Sequence, residues 1–250
     1  MISELPRRSR RQEPDPRYMT WVGHLEELRR RLIVTILATA AGSVVGWFVA
    51  PTVVHLLDAP LQASLHGHGR LVVTTVYGGF TLQLKVALIV GFFLALPVTL
   101  YQAWGFVAPA FGSGPNRYAP LFIGSGLGLF AAGATTGFLV IPLAIHFFVG
   151  FQSTDVQILP FASDYVGFIS LILVVFGLSY ELPLVLVSLS AAGIISSRWL
   201  ASKRIVAFFA CFVFAMVVTP GADFVSPLIL GSILYVLFEC SIVVSRLIGR

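Results

Sequence analysis

Phe176 to Pro183 reads FGLSYELP, and Glu181 within it stands in the middle of an apolar run. Val166, Phe168, Ile169, Leu171, Ile172, Leu173, Val174 and Val175 precede it, and Leu184, Val185, Leu186, Val187 and Leu189 follow. A run of that length and composition predicts a membrane-spanning helix. An acid at its midpoint costs at least about 2.5 kcal/mol on insertion scales, so the side chain is expected to face a bundle interior or a wet cavity. Pro183 removes a backbone donor two residues on and predicts a kink beside the acid. Two roles stay open for Glu181: a functional intramembrane acid, or a structural one capping backbone groups freed at the kink.

Composition agrees with that reading. The 250 residues are 57% hydrophobic and 11% charged, with a mean hydropathy of +0.92. These values describe an integral membrane protein and set soluble classes aside; with the helical spans read along the chain, the fold class expected is all-α. The net charge of +5 points to the membrane surface, not to nucleic acid, because the basic residues flank apolar segments. Cys211 and Cys240 lie inside apolar runs and read as small hydrophobes without a disulfide framework.

Residues 1–20 are polar and Arg-rich and predict a disordered basic cytoplasmic tail ahead of a membrane domain over 21–248. HLEELRRRL, His24 to Leu32, places Leu25, Leu28 and Leu32 on one helical face, with Glu26 and Arg30, and Glu27 and Arg31, at i,i+4. Six spans follow at about 32–49, 80–104, 119–141, 165–191, 205–218 and 225–244. Pro51 is expected to stop the first, and 52–79 and 142–162 are expected to be loops. His66 and His68 in the earlier loop lack a nearby carboxylate or cysteine and read as solvated residues, so no metal or other cofactor is expected. Gly124, Gly128, Gly133 and Gly137 in the third span form small-xxx-small pairs suited to close helix approach. The last two spans read as short against a hydrocarbon core of about 30 Å. Lys and Arg gather on one side of the six-span arrangement, so both termini are expected to be cytoplasmic.

HLEELRRRL, FTLQLK from Phe80, LPVTLYQAWGFVAPAF from Leu96, FGLSYELP, TPGAD from Thr219 and LYVLFE from Leu234 together resemble the TatC family, in the family's order and over about Trp21 to Arg246. The resemblance implies a glove-shaped six-helix protein of the cytoplasmic membrane and no enzyme. It implies binding of twin-arginine signal peptides of folded cargo and transport driven by the protonmotive force. It also implies TatA- and TatB-type single-span partners, a homo-oligomeric receptor complex and contact with membrane lipid. Residue by residue it makes Glu27 the signal-binding acid with Arg29 beside it, Phe106 the aromatic of the first inner loop, and Glu181 the intramembrane acid. Pro60 becomes the outer-loop proline and Asp223 the acid after the fifth helix.

One departure concerns the site itself. The family usually carries a second acid a few residues after Pro109-Ala110-Phe111, where this chain has Pro115 and Asn116. Glu26, or an acid of another subunit, is then left to complete the arginine site. Lys85 reads equally as a snorkelling anchor and as a functional cation. A competing reading is a small-solute secondary transporter that uses Glu181 and Glu239 as proton or cation sites. Neither an inverted repeat nor matched interrupted helices support it.

Overall fold

The structure is a computed structural model that describes residues 21–64, 71–108, 118–150, 161–219 and 224–249. These residues form α1 (Trp21–Ser64), α2 (Gly78–Val107), α3 (Ala119–Val149), α4 (Ala162–Tyr180), α5 (Leu182–Ala191), α6 (Ser197–Ser202), α7 (Arg204–Val218) and α8 (Val225–Leu247). Five stretches are long and apolar enough to cross a membrane: Leu25–Gln62, Gly78–Val107, Ala119–Val149, Ala162–Ala191 and Val225–Leu247. The shorter apolar α7 brings the arrangement to the expected six spans. Large apolar side chains such as Phe48, Leu139, Phe209 and Val217 point outward, a surface that suits hydrocarbon and not water.

The first span is longer than the sequence predicts. Pro51 does not stop α1, which runs for 44 residues with Pro51 and Pro60 both inside it. A proline deprives the carbonyl four residues earlier of its helical donor. For Pro51 that carbonyl belongs to Trp47, and it accepts instead from the side-chain amide of Gln83 on α2 at 3.2 Å. Near Pro60, the Tyr165 hydroxyl donates to the carbonyl of Leu57 at 2.9 Å. A side chain from α2 therefore satisfies the carbonyl freed by Pro51, and the Tyr165 bond ties the far part of α1, which runs on to Ser64, to α4. Pro60 consequently sits within α1 and not in a loop.

Pro142 is likewise inside α3, so the third span also exceeds its expected end at Ile141. The sixth span corrects a further expectation. At 23 residues α8 is long enough to cross, as the roughly 20 residues expected over 225–244 would already be at about 1.5 Å per residue. The short-span expectation holds for α7 alone, whose 15 residues reach about 22 Å at about 1.5 Å per residue.

Small residues set the helix pairs. α1 and α2 run antiparallel and nearly touch, since a methyl group on Gly42 would meet the Gly91 backbone and one on Gly46 the Ala87 backbone. Gly133 and Gly137 do the same for α3 against Phe176 and Gly177 of α4, whereas Gly124 and Gly128 face open space. The core lies between these pairs, with Ile141, Val166, Ile169, Ile172 and Phe176 fully buried. At one end of the bundle an isolated bridge joins Val72 to Phe161. At the other end, Gly193 adopts φ +78° where the chain leaves α5, and the Ser196 hydroxyl caps α6 by accepting from the Trp199 amide at 3.1 Å. This second end carries Arg29, Arg30, Arg31, Arg198, Lys203, Arg204 and Arg246.

Candidate functional site

At the basic end, the first turns of α1 meet the last turns of α2. Helical spacing puts Arg31 one turn after Glu27, and the pair forms: the Arg31 Nε donates to Glu27 Oε1 at 3.0 Å, and its Nη2 contacts the same oxygen. The third nitrogen reaches across to α2. Arg31 Nη1 donates to the backbone carbonyl and to the side-chain oxygen of Gln102, both at 3.3 Å. Gly105 makes room for this arrangement, because a methyl group there would overlap the guanidinium. The Arg31 and Glu27 side chains retain 18% and 13% of their surface, while Glu26, Arg29 and Arg30 are exposed. Phe106 is half-buried one residue beyond Gly105, on the same end of α2. Glu27 and Phe106 are thus brought to one end of one helix pair, with Glu26 and Arg29 on the outer side of α1. This corner is a guanidinium-binding arrangement: a carboxylate and neutral oxygens around a planar cation.

The second place is the middle of the bundle. The chain breaks between α4 and α5, with Glu181 at the junction and Pro183 in the first turn of α5. The helix is interrupted two residues before Pro183, where a kink is expected. The Glu181 amide donates to Leu178 O at 3.1 Å, three residues back, which tightens the turn before the proline. Its side chain points into a groove of about 390 Å³ bounded by Ser179, Leu182, Ala210, Cys211, Phe214 and Leu234. Both carboxylate oxygens of Glu181 and the Ser179 hydroxyl are buried without a hydrogen-bond partner among the described residues. Burial of such groups is normally compensated, so three of them beside one groove are an unusual feature of this part of the bundle. The structural role considered for Glu181, capping freed backbone groups, is not what its carboxylate does.

The remaining sequence-derived candidates are dispersed. Lys85 Nζ donates to the carbonyl and hydroxyl oxygens of Ser163 at 2.9 and 3.0 Å, which ties α2 to the start of α4 and keeps Lys85 apart from Glu181. Glu239 accepts from Arg204 at 2.8 Å and from the Tyr235 hydroxyl at 3.1 Å. Of the two acids a coupled transporter would use, one is therefore committed within the chain. Pro60 lies in the far half of α1. Asp223, Pro115, Asn116, His66, His68 and the tail over 1–20 fall outside the described residues. Sequence reasoning missed Gln102, Gly105, Gln83 and Ser179. A proline inside an apolar span was the available signal for Gln83, since it leaves a carbonyl that needs a donor from elsewhere.

The comparisons with known proteins agree with this geometry. The family model described as the Sec-independent protein translocase protein TatC matches residues 23–232. The TatC protein of Aquifex aeolicus is 36% identical over 231 residues, covering 91% of this chain and 95% of that protein. That of Escherichia coli K12 is 33% identical over 226 residues, covering 90% and 87% respectively. A crystal structure of the twin-arginine translocase receptor TatC matches with a TM-score of 0.77 at 33% identity, covering 91% of this chain and all of that one. The chain belongs to the TatC family and is a multi-pass inner-membrane component of the Sec-independent protein translocase, with no enzymatic role.

Proposed function

We propose that this chain is the signal-peptide receptor of its translocase, with the arginine pair of the signal bound at Glu27. The observation that carries the reading is the corner itself, where a carboxylate sits among neutral oxygens and already holds a guanidinium. Glu26 and Arg29 flank the entry, and Phe106 offers an aromatic face beside it. Both termini lie in the cytoplasm, which the concentration of Lys and Arg at this end supports. Cargo then presents its signal from the side on which it is made.

The Glu181 groove takes a membrane helix, either the apolar part of the signal or a single-span partner of the TatA or TatB type. Its buried carboxylate and Ser179 hydroxyl would accept or share a polar side chain that such a helix brings. Transport is powered by the protonmotive force, and receptor copies assemble together. The test is crosslinking. A photoreactive peptide with an arginine pair, added to the purified chain in nanodiscs, should label residues around Glu27 and Phe106. The same peptide with a glutamine pair should not. Equal labelling by both peptides would overturn the assignment.

A further inference from the structure

Arg31 occupies the position an arriving guanidinium would need. Its Nε and Nη2 both address Glu27 Oε1, and Nη1 is held by the backbone carbonyl and side-chain oxygen of Gln102. The space is kept by Gly105, where a methyl group would overlap the guanidinium. A simple exposed i,i+4 pair needs none of this: the neighbouring Glu26 and Arg30 have the same spacing, yet both are exposed. We infer that Arg31 is an internal competitor for Glu27, a resident guanidinium that the signal's arginine must displace and that sets the affinity of the receptor.

The inference rests on Glu27 being the signal-binding acid, and geometry and charge carry it further. An arginine prefers to grip a carboxylate with two parallel bonds, one to each oxygen. With Oε1 already doubly used, an incoming fork finds only Oε2, so a full grip requires Arg31 to let go. Gln102 supplies the alternative, because Arg31 keeps its Nη1 bonds on α2 while Glu27 turns to the peptide. Charge acts in the same direction. Glu27 is paired with Arg31 in the free protein. A peptide with two cations therefore meets a corner with Arg29, Arg30 and Arg31 against Glu26 and Glu27, and repulsion from Arg31 opposes its approach. A receptor that must release each signal after use gains a lower affinity and a faster exchange from such a resident cation.

The experiment measures binding of a fluorescent arginine-pair peptide to the full chain in phosphatidylcholine nanodiscs, across a range of salt. Arg31→Gln should bind about tenfold more tightly than the parent, with a steeper loss of affinity as salt rises because one repelling cation is gone. Gly105→Ala, which pushes the guanidinium off its seat and keeps every charge, should tighten binding by a smaller factor. Glu27→Gln should weaken binding by at least about tenfold, and Arg31→Gln added to it should restore nothing. Weaker or unchanged binding in Arg31→Gln, with Glu27→Gln still impaired, would overturn the competitor role and leave the Glu27 site standing. Full binding by Glu27→Gln would remove the site itself. If Arg31→Gln does not fold, Gly105→Ala decides: tighter binding supports displacement, and weaker or unchanged binding overturns it.

Discussion

Glu27 and Glu181 are acids of one chain in opposite circumstances, and their variants should behave differently. Glu27 has a cation beside it at the membrane surface, so it can exchange that partner for another. Glu27→Ala should abolish cargo export. Glu26→Ala, about 100° around the helix and exposed, should reduce it little. A charge-assisted hydrogen bond contributes about 1.5–3 kcal/mol, so peptide affinity should fall roughly ten- to a hundredfold in Glu27→Ala. Export of a folded reporter and peptide titration check both. Glu181 has no partner among the described residues and sits among apolar side chains. Glu181→Gln retains the shape and the hydrogen bonding and should export more than Glu181→Ala. Equal export by Glu181→Ala and the parent would exclude this acid from transport.

At the scale of helices, α1 and α7 are the informative cases, one too long for its prolines and one too short for a bilayer. Gln83→Leu should leave the Trp47 carbonyl without its donor in an apolar setting, which costs about 1–3 kcal/mol. Thermal unfolding in detergent should drop by several degrees, and Gln83→Glu should not rescue it because a carboxylate donates nothing. The short α7 leaves a deficit against a core of about 30 Å, and thinning of the bilayer beside it is the expected outcome. Adding three or four leucines near Phe212 should impair export while peptide binding persists, and unimpaired export would show that thinning is not used. These helices also show what a sequence reveals about its fold. Span number, the interruption before Pro183 and the Glu27–Arg31 pair follow from local spacing and were legible. The passage of α1 through Pro51 was not, because the donor that satisfies the Trp47 carbonyl comes from a side chain 36 residues after Trp47, on another helix. The sixth span was misjudged as short, although its end near Arg246 agrees with α8 and about 20 residues already span the core. The site at Glu27 was legible only in its acid, since Gln102 and Gly105 enter through the packing of α1 on α2.

For the whole molecule, side is the first testable property. In a chain with Cys211 and Cys240 replaced, a cysteine at Thr74 should react with an impermeant reagent added from outside. One at Ser202 should be protected, and both positions are exposed in the structure. Labelling of the Ser202 position from outside would invert the arrangement and take the Glu27 corner away from its peptide. The groove at Glu181 bears on a different matter, the life of the chain in the cell. A lone copy carries two carboxylate oxygens and a hydroxyl that find no partner among the described residues of its apolar middle, and any helix that supplies donors to them would stabilise the folded state by mass action. Synthesis without that helix would leave the subunit an orphan, open to membrane proteases in proportion to how often it loosens. The acid that serves assembly would then also act as a timer, limiting how long an unassembled receptor survives.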